Sequence, residues 1–260
     1  MLLEDKIVIV SGIGPGMGRD ISLQCAEHGA HIVLASRTLE RLEEVAQEVR
    51  SLGRHALSVP TDVTDPEQCQ ALAAATIEEF GRIDVLVNNA FKQPPFELFQ
   101  DLSLTTWQES VLFNCTAAMQ TTQAVLPQMK EQQNGSVVMI NTMSIRRAEP
   151  YFSAYAAAKS ALFSFARSIA AEVGPYGIRV NSVAPGYIWG QSVKWYFETQ
   201  AKQRNMPFEE VQREITNQLA LRRIPDSREI SGTVVFLASE LSAAVTGHTL
   251  DANGGHYLHF

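Results

Sequence analysis

Short runs rich in β-branched residues alternate along the chain with longer stretches of helical spacing. Ile7-Val8-Ile9-Val10 is a continuous apolar run, the pattern of a strand buried on both faces. Helical spacing follows over 16–29, and 31–35 reads as the next strand. The stretch 39–52 predicts an amphipathic helix with Leu42, Val45, Ala46 and Val49 on one stripe. Further strands are expected at 56–59, 83–87, 136–140, 179–183 and 248–251. Helices are expected between them at 66–80, 105–129, 153–173 and 228–239. Strands interleaved with helices imply right-handed βαβ crossovers. The predicted fold is therefore α/β: a doubly wound Rossmann fold with a seven-stranded parallel sheet and helices on both faces. No linker, repeat or low-complexity segment divides the 260 residues, so one domain is expected over 1–260. The stretch 187–225 breaks the rhythm, and it is expected to be a substrate-lid insertion carrying Trp189, Trp195, Tyr196, Phe197 and Phe208.

Composition narrows the function classes. Apolar residues make up 45% and charged residues 19%, which excludes a disordered chain. A net charge of −7 argues against general attraction to nucleic acid or anionic membranes. Cys25, Cys69 and Cys115 lie far apart in no ligand spacing, and no histidine pair forms a ligand pattern, so no metal site is expected. The N-terminus shows no signal-peptide pattern, and no apolar run reaches membrane-spanning length. The expected location is the cytoplasm.

Two motifs carry chemistry. Ser11-Gly12-Ile13-Gly14-Pro15-Gly16-Met17-Gly18 stands between the first strand and the first helix. Glycines there let backbone approach a pyrophosphate, and the helix N-terminus offers free N–H groups. The spacing is G-x-x-x-G-x-G over Gly12, Gly16 and Gly18, with Met17 inside it. The second strand ends Ala35-Ser36-Arg37 with no acid before Glu40. An acid there would serve a ribose 2′-hydroxyl, whereas Arg37 would pair with a 2′-phosphate, so NADP(H) is favoured over NAD(H). Further on, Tyr155 and Lys159 stand one helical turn apart. The expectation is that the ammonium pulls the phenol pKa from about 10 toward neutral, making a proton donor or acceptor for a carbonyl or alcohol.

With these motifs in order, the chain resembles the short-chain dehydrogenase/reductase family from about residue 5 to its end. The matching stations are the glycine loop, Asp62-Val63, Asn88-Asn89-Ala90, Asn114, Tyr155-x-x-x-Lys159 and Pro185-Gly186. The resemblance implies that Tyr155 is the general acid/base and that Lys159 tunes it and holds the nicotinamide ribose. It implies that Asn114 anchors a water in a proton relay, and that Asp62 and Val63 flank the adenine. Asn89 and Ala90 would line the ribose and pyrophosphate path, and Ile188, following Pro185 and Gly186, would meet the carboxamide. The family's catalytic serine usually stands thirteen residues before the tyrosine, where this chain has Thr142. Ser144 is the competitor for that role. Phe91 replaces a usual glycine, Ser11 keeps a usual hydroxyl, and Gly190 stands near a usual threonine, with Ser192 as a substitute.

The aromatic insertion points to a bulky hydrophobic or cyclic ketone or secondary alcohol. Arg146 and Arg147 are either an anchor for an acidic group or solvated. Family members are commonly dimers or tetramers built on the 105–129 and 153–173 helices, and the apolar end Tyr257-Leu258-His259-Phe260 would pack on a neighbouring subunit. Two other readings stand beside a ketoreductase or alcohol dehydrogenase. One is an enoyl (C=C) reductase of the same family, and the other is a non-catalytic NADP(H)-binding sensor.

Overall fold

Fully buried apolar runs set the sheet. β1 (Ile7–Ser11), β2 (His31–Ser36), β3 (Ala56–Pro60), β4 (Val85–Asn88), β5 (Gly135–Ile140), β6 (Ile178–Pro185) and β7 (Thr249–Ala252) pair in the order β3-β2-β1-β4-β5-β6-β7. Every pairing is parallel. The computed structural model describes residues 1–93 and 96–258.

Two apolar cores cover the two faces of the sheet. Val8, Val10, Leu34 and Val138 pack beneath α1 (Met17–Glu27), α2 (Leu39–Ser51) and α9 (Ser227–Ala238). Ile9, Val33, Leu86 and Val137 pack beneath α3 (Pro66–Phe80), α5 (Ala117–Gln132) and α6 (Ser153–Val173). Alternate residues of one strand thus serve opposite layers, which is why β1 has no polar position before Ser11. The predicted stripe of α2, Leu42, Val45, Ala46 and Val49, is its buried face.

Two local results differ from the sequence pattern. The helix expected over 105–129 is broken into α4 (Leu104–Val111), a π turn (Leu112–Thr116) and α5. In that turn the Ala117 N–H reaches back to the Leu112 carbonyl. The insertion after β6 forms two helices, α7 (Gln191–Arg204) and α8 (Phe208–Gln218), around a small core of their own built on Phe197, Val211 and Leu219.

The strand order reverses between β1 and β4, whose C-terminal ends pair Ser11 with Asn88. The residues just beyond that pair, Gly12 and Asn89, open the crevice where ligands bind in sheets of this kind.

Candidate active site

Gly12 has φ +81°, and a Cβ there would stand 2.4 Å from the Ala90 Cα. A Cβ on Gly18 would stand 2.4 Å from the Gly12 carbonyl oxygen. These two glycines are required by the protein's own packing. Gly14 and Gly16 differ: no protein atom lies within 4 Å of a Cβ at either. Their bare backbone faces open space beside the first turn of α1, which carries no side-chain cap. Open backbone and unsatisfied N–H groups together fit a pyrophosphate. Asn89 holds the loop in place, its Nδ2 donating to the Gly12 carbonyl at 2.8 Å. Ser11 Oγ accepts from the Asn89 backbone N–H at 3.3 Å.

At the end of β2 the Ser36 hydroxyl is buried with no partner, and Arg37 is exposed. Arg37 forms no ion pair among the described residues, although its charge helps hold the Asp62 carboxyl below the usual range, after the larger effect of hydrogen bonds from Thr64. The neighbouring cation of the glycine loop, Arg19, is committed to Glu48 and Asp20. Val63 is buried, and Ile188 packs against the core beneath α1. Gly186 passes close to Asn253, where a Cβ would meet the Asn253 Cβ at 3.0 Å.

The groups expected to handle protons meet where β5 ends against α6. Lys159 is buried and its Nζ donates to the Ile140 carbonyl at 2.8 Å. Thr142, two residues past that carbonyl, has its hydroxyl near enough to the Tyr155 phenol to lower its pKa. Thr142 also caps the turn Met143–Ile145, its Oγ1 accepting from the Ser144 N–H at 3.3 Å. The Ser144 hydroxyl faces Thr142, 3.3 Å from its Oγ1. Of the two competing hydroxyls, that of Thr142 is the one that acts on the Tyr155 pKa.

Burial governs the titration of both groups. It pushes the Tyr155 phenol up to about 12, against a smaller lowering by the Thr142 hydrogen bond. It pulls Lys159 down to about 8. The expected pull of the ammonium on the phenol does not dominate here. Lys159 Nζ stands 6.0 Å from the Tyr155 ring centroid and is turned to a backbone carbonyl.

Asn114 lies in the π turn. Its Nδ2 donates to the Lys92 carbonyl at 2.9 Å and its Oδ1 accepts from the Lys92 N–H at 3.2 Å, so the side chain braces the strand-to-helix loop.

A family model described as Enoyl-(Acyl carrier protein) reductase matches residues 12–257. An L-rhamnose 1-dehydrogenase (NAD(P)(+)) of Azotobacter vinelandii is 33% identical over 99% of both chains. The chain belongs to the short-chain dehydrogenase/reductase family. As a member, it is an NAD(P)-dependent oxidoreductase acting on a small molecule. Human dehydrogenase/reductase SDR family member 4 is 29% identical over 97% of this chain and 88% of that protein. The solved structure of NAD+-bound xylitol dehydrogenase superposes with a TM-score of 0.92 at 31% identity, covering 98% of this chain and 100% of that one.

In this dehydrogenase/reductase, rings form a continuous wall leading away from Tyr155. Phe152 lies 6.4 Å from Tyr155, Phe96 lies 5.0 Å from Phe152, and Tyr196 lies 6.4 Å from Phe96. Tyr187 stacks on Tyr196 at 6.1 Å. Sequence pattern points to the insertion but misses Phe96, Phe152 and Tyr187, which lie outside it or at its first residue. Of the five aromatic residues expected in the insertion only Tyr196 joins the wall. Phe197 is fully buried in the small core of α7 and α8, Trp189 and Phe208 pack on Phe197, and Trp195 is 56% exposed. Phe91 is exposed, as is Ser192, and Gly190 is extended.

Arg146 and Arg147 are each paired with an acidic side chain. Arg146 Nε lies 3.3 Å from Asp251 and Arg147 Nε 3.1 Å from Glu149. Of the apolar C-terminal end, His259 and Phe260 lie outside the described residues. Among the described residues no cluster suited to a metal ion occurs, and no helix is long and apolar enough to cross a membrane.

Proposed function

We propose that the protein is an NADP(H)-favouring reductase of a cyclic or bulky hydrophobic ketone, with the reverse oxidation of the secondary alcohol as its alternative direction. The observation that carries this reading is the Thr142–Tyr155–Lys159 assembly at the end of β5, beside the crevice between β1 and β4.

Gly14, Gly16 and the first turn of α1 would hold the pyrophosphate, with Met17 and Gly18 opening the helix. Asp62, Val63 and Ala90 would line the adenine and ribose path, and Pro185, Gly186 and Ile188 would line the nicotinamide end. Arg37 and the unpartnered Ser36 hydroxyl would meet a 2′-phosphate. The bound nicotinamide supplies the hydride. Tyr155 supplies the proton to the carbonyl oxygen: with its pKa near 12 it stays protonated at neutral pH, which favours the reducing direction. Thr142 orients that oxygen and, in the oxidising direction, donates to the developing phenolate. Lys159 provides a buried positive charge that a developing phenolate would feel more strongly than in water.

The names of the sugar and polyol dehydrogenases above belong to those proteins, and the aromatic wall supports a ring-shaped substrate here. The three cysteines are free and buried, which supports a cytoplasmic setting. Exposed Leu104, Leu112 and Met119 on α4, the π turn and α5 support self-association into dimers or tetramers through that face.

The test is NADPH oxidation against cyclic ketones, with enones alongside, for wild type and Tyr155→Phe. Wild type should reduce C=O, and the variant should lose at least about 1,000-fold in kcat while retaining NADPH binding by fluorescence. Exclusive C=C reduction would support the enoyl reductase reading, and tight NADPH binding without any turnover would support the sensor. Arg37→Gln should lower kcat/KM for NADPH about tenfold or more and leave NADH unchanged.

A further inference from the structure

The aromatic wall ends on a polar pole. Glu149 leaves the loop between Thr142 and Tyr155 with only 16% of its side chain exposed. Its Oε1 forms an ion pair with Arg147 Nε at 3.1 Å. Arg147 Nη1 stands 3.2 Å from His256 Nε2. The His256 ring stacks on Tyr187 at 5.6 Å, and Tyr187 stacks on Tyr196. Glu149, Arg147 and Tyr196 are all within electrostatic reach of the Tyr187 phenol.

The charge arithmetic of this pole decides what it can recognise. Arg147 is neutralised by Glu149, and Arg146 is neutralised by Asp251. Both arginines of the loop are thus charge-paired, so the pole carries no net positive charge for a carboxylate or phosphate. Glu149 retains acceptor capacity. A carboxylate offers roughly four acceptor positions and donates nothing. Arg147 takes one of them, and a mostly buried carboxylate is costly unless the others are also met. A ring hydroxyl would satisfy them, an apolar ring would leave them bare, and an anionic group would be repelled.

Resting on the reading of a ring-shaped ketone or alcohol, we propose that the substrate is a neutral ring bearing a second hydroxyl that donates to Glu149, and that Glu149 excludes carboxylate-bearing rings by neutralising Arg147. Glu149 acts on specificity and takes no part in proton transfer.

The experiment measures kcat/KM with NADPH for cyclohexanone, 4-hydroxycyclohexanone and 4-oxocyclohexanecarboxylate. Wild type should prefer the hydroxyketone over cyclohexanone at least tenfold, the gain lying in KM, and should use the carboxylate least. Glu149→Gln preserves shape and uncovers the Arg147 charge. It should shift the carboxylate-to-hydroxyketone ratio at least tenfold toward the carboxylate, a gain that a damaged fold would not produce. The double variant Glu149→Gln/Arg147→Gln should lose that gain. An unchanged ratio in Glu149→Gln, or a wild-type preference for the carboxylate, overturns the proposal while the ring-ketone reading survives. Reduction of none of the three rings by wild type, with NADPH still bound, removes both.

Discussion

Lys159 is a buried cation whose interior position works against the fold. Its pKa is lowered from 10.5 to about 8 by burial, a difference worth about 3 kcal/mol against the folded state wherever the group is charged in both states. Replacing it by Met removes the penalty and keeps most of the side-chain volume. It also strips the Ile140 carbonyl of its donor, which costs about 1 kcal/mol. The unliganded Lys159→Met protein should therefore be more stable than wild type by about 2 kcal/mol at pH 7, or about 4–8 °C in Tm at this chain length. The sign with pH follows from proton binding. Between the folded value near 8 and the unfolded value near 10.5 the unfolded wild type binds more protons, so its stability rises with pH and the advantage of the Met variant shrinks. Tyr155 works in the opposite sense only above pH 10, where the unfolded phenol ionises first and stability falls. Urea titrations of both proteins from pH 7 to 9.5 isolate the lysine, with NADPH turnover measured in parallel. A Met variant less stable than wild type at pH 7, or a gap that does not narrow toward pH 9.5, would refute the reasoning.

Thr142→Ala should lower kcat about 100-fold with NADPH affinity unchanged, while Ser144→Ala, whose hydroxyl faces Thr142, should cost less than about tenfold in the same assay. Gly16→Ala should raise the Kd for NADPH with little change in Tm, because its Cβ enters open space that the cofactor would occupy. Gly18→Ala should lower Tm as well, because its Cβ meets the Gly12 carbonyl. Phe197→Ala should cost the lid about 3–5 kcal/mol and expose α7 and α8 to limited proteolysis, whereas Trp195→Ala, on the outer face, should stay within about 0.5 kcal/mol of wild type.

Legible and illegible features of the chain divide along a physical line. The strands β1, β2 and β5 are apolar at nearly every position, and burial on both faces leaves no other pattern for them. The glycine loop and the Tyr155/Lys159 pair are local in sequence, so spacing alone places their backbones together. The π turn is not legible, because one wide turn inside a long helix leaves a 3.6-residue pattern nearly intact on either side. The titration of Tyr155 escapes the sequence for a related reason. Spacing reports that Lys159 is one turn away, but not that its Nζ is drawn to Ile140. The partners of Arg146 and Asn114 are Asp251 and Lys92, which only the folded chain brings near. The same holds for the ring wall, whose members Phe96, Phe152 and Tyr196 come from three separate segments.

The break at Leu112–Thr116 ties these pieces together. A π turn adds one residue to the helix and rotates the downstream helical residues by about 100° relative to an uninterrupted helix. Asn114 lies within that turn, and its amide meets both backbone groups of Lys92. Lys92 stands four residues before Phe96, the ring that joins Phe152 beside Tyr155 to Tyr196 on the lid. The same turn carries Cys115, whose buried sulfur lies within electrostatic reach of Lys159. One irregular turn therefore touches both the surroundings of the buried Lys159 amine and the loop that leads to the aromatic wall.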